Sequence, residues 1–323
     1  MTLYPLKFNP VFSYRIWGGN KLKKVLNKDY NLDSIGESWE ISNVENNETL
    51  VREGKLKGMS LKELIKEFKG ELVGNSVYET FGNEFPLLIK FIDAKTPLSI
   101  QVHPSNELAK ERHNSFGKNE MWYVMEAEKN AELIIGFNQE TDKASYQDHL
   151  KNSTLTEILN IEKVRQGDTF YIPTGRVHAI GAGVLLAEIQ QTSDITYRIY
   201  DYDRVDKTTG EKRELHTDLA LNAIDYNLYE NYKTDYNNTI NTTNKLVHST
   251  YFKTNFIHVS EKLSRDLANI DSFVIYICVE GKMEINYNNQ IISLTKGETI
   301  LVPANIAFLS FNSKDAKLLE VFL

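Results

Sequence analysis

This sequence predicts a mainly β chain: two antiparallel β barrels, with a few helices inserted in the N-terminal part. Three observations carry the expectation. Short stretches rich in Ile, Leu, Val and Phe recur at 85–103, 120–137, 161–172, 184–203, 246–259, 272–287 and 291–310, with Gly and Pro between them. Helical periodicity is confined to four places. One string occurs twice, as Gly167-DTFYI-Pro173-T-Gly175-RV-His178 and as Gly297-ETILV-Pro303-A-Asn305-IA-Phe308. Each copy follows a strand pair, 121–137 in the first case and 273–287 in the second. Many short strands with turn residues favour antiparallel barrels or sandwiches over alternating β and α units. A repeated string in a repeated context points to a repeated barrel.

The elements follow in order. Ser60 and Glu63 have capping-box spacing, and Leu61, Leu64, Ile65, Phe68 and Leu72 then recur at helical intervals. Residues 85–103, FPLLIKFIDAKTPLSIQVH, read as strand. Further helices are expected at 104–113, 141–160 and about 218–230. The Gly that opens each repeat suits a tight turn, and its Pro suits a strand entry or edge. Residues 225–245 are polar, rich in Asn and without a clear period, and read as a linker or exposed connection. The expected division is therefore 1–240 and 241–323.

Composition limits the function. The 323 residues are 41% hydrophobic and 25% charged, ordinary for a globular protein with a sizeable core. With 37 basic and 44 acidic side chains the formal charge is -7, so no general attraction to nucleic acid or an anionic membrane is expected. An anionic ligand must be met by a local basic pocket. The single cysteine, Cys278, excludes an internal disulfide and a Cys-based zinc site, which fits a reducing compartment. The start, MTLYPLKFNP, lacks the pattern of a secretory leader, and the longest apolar run, Phe273 to Val279, falls far short of a membrane span. A cytoplasmic location is expected. No Gly-rich nucleotide-binding motif occurs.

The string Gly-x5-Pro-x-Gly-x2-His resembles the second motif of the cupins, and two copies imply a bicupin, that is, two cupin-type jelly-roll barrels. The first cupin motif supplies a His-x-His pair and a Glu. Here the corresponding residues are Gln101-Val102-His103 and Glu120, with a Gln in place of one His and PSNELAKERHNSFGKN enlarging the gap. With PLSIQVHP, GKNE, Trp17-Gly18-Gly19, Gly36-Glu37-Ser38-Trp39-Glu40 and the segment Glu188 to Arg204, the chain resembles the type I mannose-6-phosphate isomerases over nearly its whole length. Its short length resembles their compact bacterial branch. The resemblance implies a zinc-dependent aldose–ketose isomerase that interconverts mannose 6-phosphate and fructose 6-phosphate, with a phosphosugar as its partner and a catalytic metal-binding barrel in residues 1–240.

The residues bear a chemical reading of their own. On a strand, Ser99, Gln101 and His103 share a face. Glu120 opens the next strand, and His178 sits just past a Pro-x-Gly turn. Gln101, His103, Glu120 and His178 offer one zinc ion per chain an N and O donor set. A single anionic ligand leaves the ion net positive, hence a Lewis acid toward a sugar oxygen. Taken singly, His103 would read as a core residue and Glu120 as a surface acid; their spacing with His178 makes the metal reading. In the second copy Phe308 replaces His178 and about Val274 replaces Glu120. The C-terminal barrel is accordingly expected to be metal-free and structural, with Cys278 an apolar strand residue.

The resemblance also places Glu188, Asp194, Arg198 and Arg204 at active-site positions and Trp17 and Ser99 in the substrate pocket. Trp17 alone would be read as core. Arg198 is the residue to stabilise negative charge on O1 and O2 of an enediolate; a salt bridge with Asp194 or Asp201 is its alternative. Glu188 is the first candidate for the base and Lys118, with a lowered pKa, the second. Lys118 is also a candidate for phosphate or hydroxyl binding. Lys110, Arg112, His113 and Lys118 are expected to form a basic cap over the barrel mouth. A cupin dioxygenase, a non-catalytic sugar-phosphate sensor and an isomerase of another phosphosugar remain the rival readings.

Overall fold

The computed structural model describes residues 2–323. Two sheets make the N-terminal barrel. One has six strands in the order Thr169–Ile172, Glu120–Ala127, Val184–Gln191, Leu87–Ala94, Val11–Gly19 and Ile35–Ile41. The other has five: Tyr197–Tyr200, Ile100–Val102, His178–Ile180, Glu132–Phe137 and Leu159–Lys163. Ile92, Trp122 and Leu186 of the first sheet meet Leu133, Ile135 and Ile180 of the second in one apolar cluster. A third sheet of eight strands begins at Thr243–His248 and is organised around the long strand Val274–Tyr287. The chain is thus mainly β with few helices, as the sequence predicts.

The repeat is real in the register. Glu120 pairs with Ile172, the residue before Pro173, and Val274 pairs with Val302, the residue before Pro303. Both opening glycines, Gly167 and Gly297, have positive φ (90° and 86°), a conformation that a residue with a Cβ adopts only at a cost.

Every residue of Leu87–Ala94 and Val184–Gln191 is buried. One face looks into the N-terminal barrel. The other, through Leu87, Ile89, Met121, Leu185 and Ile189, joins a single core with Phe256, Phe273, Ile275 and Leu319 of the third sheet. With both faces covered, the period-2 alternation of a half-exposed strand disappears. Phe85 and Phe273 meet across this interface with ring centroids 4.6 Å apart.

Several elements differ from expectation. The strands Val11–Gly19 and Ile35–Ile41 were not evident in the sequence, because their Gly, Glu and Arg residues break the apolar run. The capping box at Ser60 is formed in both directions, but the helix ends at Phe68 and is followed by two short ones, Gly70–Val73 and Asn75–Phe81. The expected helix at 141–160 closes at Lys151, with a separate turn at Leu155–Ile158. The helix expected at 218–230 shrinks to Thr217–Ala220. There the Asp225 carboxylate accepts from the Asn227 N–H (3.1 Å), and the Asp225 N–H is donated to the Gly175 carbonyl (2.8 Å), so local bonds replace helical ones. The polar stretch after it is irregular but not loose: Tyr232 is buried and its hydroxyl donates to the Phe137 carbonyl at 2.9 Å.

All three tryptophans, Trp17, Trp39 and Trp122, lie in the N-terminal barrel, so their fluorescence reports its unfolding alone. Phe273→Ala, in the other barrel, should destabilise the chain by about 3–5 kcal/mol through the shared core. In urea titrations the fluorescence transition should shift together with that of far-UV circular dichroism. An unshifted tryptophan transition would mean that the two barrels do not share stability.

Candidate active site

Between the two N-terminal sheets lies a cavity of about 440 Å³, a volume suited to a small polar ligand. Sheet register builds its floor. In the six-stranded sheet Trp122, Glu188, Lys90 and Trp39 stand side by side on four neighbouring strands, and Glu120 is two residues from Trp122 on the same face. In the five-stranded sheet Arg198, Gln101 and His178 form a row across three strands. The two rows meet over the cavity.

Nε2 of His103, a carboxylate oxygen of Glu120 and Nε2 of His178 lie within 4.8 Å of one another. Each imidazole is oriented from behind. Nδ1 of His103 bonds the Ile195 carbonyl and Nδ1 of His178 the Arg176 carbonyl, both at 2.8 Å. A carbonyl only accepts, so each Nδ1 carries the proton and each Nε2 presents a lone pair inward. The turn that delivers His178 is tied to the other histidine, because the Gly175 N–H donates to the His103 carbonyl at 2.9 Å. Gly175 has φ +87°, and a Cβ there would press on the Ala223 carbonyl at 3.0 Å. Burial holds His103 well below the usual histidine pKa and brings His178 down to about 4, so both are neutral, as metal ligation requires.

Glu120 is fully buried, and among the described residues only Lys118 brings a donor to its oxygens. Lys118 Nζ lies 3.0 Å from Oε2 as an ion-pair contact. Burial, then the charge of Glu188, pushes the Glu120 pKa up to about 7 against the pull of Lys118. Two neutral imidazoles beside a buried carboxylate with a single donor fit a divalent cation. Gln101 adjoins them, with its Nε2 3.2 Å from His178 Nε2 and its Oε1 3.5 Å from the Ser99 hydroxyl. Its ligating atom would be Oε1, which the amide presents by turning end for end.

An alternating line of charges runs from Glu120 across the sheet. Lys118 stands between Glu120 and Glu188, 3.9 Å from the latter, and Lys90 stands between Glu188 (3.5 Å) and Glu37 (4.0 Å). Arg15 closes the line on Glu37 at 2.9 Å. Burial alone would raise Glu37, but Lys90 and Arg15 outweigh it and bring the group down to about 2. Glu188 Oε2 accepts from Trp122 Nε1 at 3.0 Å, while its Oε1 is buried without a hydrogen bond.

Of the residues singled out in the sequence, Gln101, Lys118, Glu188, Arg198, Trp17, Ser99 and Asp194 line the cavity, around the cluster of His103, Glu120 and His178. Arg198 has no ion pair with Asp194 or Asp201 among the described residues; its Nη1 donates to the Glu214 carbonyl at 2.8 Å and its Nε is buried without a partner. Three expectations need correction. Lys118 is not a lysine of lowered pKa: burial acts in that direction, but Glu120 and Glu188 outweigh it and hold the ammonium protonated. Arg204 does not line the cavity, since it donates to the Pro97 carbonyl and to Asp201 and lies over the Tyr202 ring. The basic cap is also absent. His113 bonds the Tyr197 hydroxyl at 2.8 Å, Arg112 donates to the Leu219 carbonyl at 3.0 Å, and neither they nor Lys110 reach the cavity. Sequence reasoning assigned no site role to Lys90, Glu37, Trp39, Trp122 and Arg213. The available signals were Lys90, a charge inside the apolar run 87–94, and the motif Gly36-Glu37-Ser38-Trp39-Glu40, quoted for the resemblance but given no role.

The fold and site together define a cupin barrel that presents two histidines and a carboxylate at the floor of a charged cavity. Residues 5–164 match the family model of the phosphomannose isomerase type I catalytic domain, and residues 242–322 that of the mannose-6-phosphate isomerase cupin domain. The chain is 36% identical over 308 residues to a mannose-6-phosphate isomerase of Bacillus subtilis, covering 94% of each chain. It is 40% identical over 220 residues to that of Streptococcus mutans, covering 68% of this chain and 67% of the relative. A crystal structure of mannose 6-phosphate isomerase from Bacillus subtilis superposes with a TM-score of 0.90 at 31% identity, covering 99% of this chain and all of the other. The chain belongs to the type I phosphomannose isomerases.

Metal analysis of the purified protein should find about one divalent ion per chain. His178→Ala should lose most of it and keep the wild-type circular dichroism spectrum. A second tightly bound ion that survives this substitution would place a metal outside the cluster described.

Proposed function

We propose that the chain interconverts mannose 6-phosphate and fructose 6-phosphate by proton transfer through an enediol(ate), with one zinc ion held by Gln101, His103, Glu120 and His178. The observation that carries this reading is the meeting of two sheets: Arg198, Gln101 and His178 on one, and Glu188 and Glu120 on the other, with Lys118 from the loop before Glu120 beside them. When bound, zinc supplies Lewis acidity toward a sugar oxygen.

The chain's own groups account for the rest. Glu188 is the base that moves the proton between C1 and C2: it is buried, Trp122 and Lys90 fix it, and Oε1 accepts no hydrogen bond. Lys118 stays an ammonium, suited to holding a sugar hydroxyl and not to abstracting a proton. Arg198 stabilises the charge that develops on O1 and O2. Trp17, Ser99 and Asp194 contact the sugar, a role supported by their places on the cavity wall. Arg204 supports the site from outside it. A boundary at 240/241 is supported by the strand membership of the third sheet and by the matched ranges. No helix among the described residues is long and apolar enough to cross a membrane. The cytoplasm is the proposed location, on the strength of the single buried thiol.

Arg198→Ala should lower kcat on mannose 6-phosphate by about a hundredfold or more while metal content holds. Arg198→Lys should recover only part of the loss, since an ammonium does not reproduce the planar fork. Near wild-type kcat in both variants would remove Arg198 from the chemistry. Chelation should abolish turnover and zinc should restore it; full activity in metal-free protein would sink the zinc assignment.

A further inference from the structure

The proposed reaction fixes the reacting end of the sugar at the cavity floor, so its phosphate must lie toward the mouth. Five cationic side chains line the cavity: Arg15, Lys90, Lys118, Arg198 and Arg213. Lys90 and Lys118 are buried and sit between carboxylates on the floor. Arg198 belongs to the row at Gln101. Arg15 gives Nη2 to Glu37 (2.9 Å) and Nη1 to its neighbour's carbonyl (3.0 Å).

Arg213 is placed differently. It ends a hairpin that leaves the floor strand Tyr197–Tyr200 and returns through the Val205–Lys212 bridge. Its Nε and Nη2 clamp the buried carboxylate of Asp201 at 2.8 and 2.5 Å, which leaves Nη1 without a partner among the described residues on a rigidly held, partly exposed fork. Asp201 also accepts from Arg204, so one buried carboxylate serves two guanidiniums. Two acids stand near: Asp206, which also lines the cavity and whose carboxylate accepts from the Thr208 N–H and hydroxyl, and Glu214, which is largely exposed. Burial and then the charge of Arg213 lower the Arg198 pKa, against the opposite pull of Asp201 and Glu214.

We infer that Arg213, oriented by Asp201, binds the substrate's phosphate at the cavity mouth, an assignment that rests on the phosphosugar reading above. The hairpin thereby sets specificity for a phosphorylated over a free sugar, and Arg204 acts as a strut that shares the same anchor.

The test combines kinetics with direct binding of inorganic phosphate to the metal-loaded protein. Arg213→Ala should raise KM for mannose 6-phosphate about tenfold or more, with kcat altered far less, the pattern of lost uniform binding. Inorganic phosphate, measured as a competitive inhibitor and by calorimetry, should weaken by a similar factor. Arg213→Gln keeps a hydrogen bond to Asp201 without the charge, and should show the same KM change even if the alanine variant folds poorly. If the variants lose thermal stability while KM and phosphate affinity stay within about twofold of wild type, Arg213 is only a strut and the inference is overturned. If the wild-type chain binds phosphate through Arg213 but does not turn over mannose 6-phosphate, the isomerase reading fails and the anion site stands.

Discussion

A buried carboxylate whose one donor among the described residues is a single lysine ammonium is the constraint on which the site depends. Glu120 is such a group, and two neutral imidazoles adjoin it. Removing an unpaired charge from water costs several kcal/mol, and an adjacent ammonium offsets only part of that cost. The surrounding structure answers the demand. Backbone carbonyls aim both Nε2 lone pairs inward, the Gly175 turn ties one histidine to the other, and Lys118 begins a line of alternating charges that ends at Arg15. Each of these arrangements makes sense around a cation and is costly without one.

The second barrel displays the same backbone with the demand removed. Val274 takes the register position of Glu120, and Phe308, in the place of His178, is exposed. Its one buried charged side chain among the described residues is Glu320, whose oxygens are satisfied by Arg265, Tyr276 and Asn255 at 2.8–2.9 Å. Cys278 is an ordinary buried strand residue there. What this barrel contributes is a face for the six-stranded sheet to pack on. That packing fixes the register which lines up Trp122, Glu188, Lys90 and Trp39. Residues far from the cavity thus pack behind the row that lines it.

The grouping of His103, Glu120 and His178 was legible because strand periodicity and a Pro-x-Gly turn constrain a few neighbouring residues. The charge line was not, because Glu37, Lys90 and Glu188 come together only through long-range strand pairing. Glu188 and Arg198 lie ten residues apart in the chain yet belong to opposing sheets, a separation that spacing alone conceals. The arginines of 198–213 show the same limit. Arg204 and Arg213 both bind Asp201, and only the fold of the hairpin decides that Arg213 reaches the cavity while Arg204 turns to the Pro97 carbonyl. In the helices overestimated at 141–160 and 218–230, side chains take the backbone groups instead: Asn138, from outside the first segment, donates to the Glu157 and Leu159 carbonyls, and Asp225 accepts locally from the Asn227 N–H.

Thermal unfolding of chelator-treated protein, with and without added zinc, tests the central claim without relying on turnover. If Glu120 is held for a cation, zinc should raise the Tm of the wild-type chain by several degrees, roughly as expected for a ligand bound only by the native state. Glu120→Gln, equal in size but uncharged, should lose most of that rise. Equal zinc-induced shifts in the two proteins, or none in the wild type, would contradict the account.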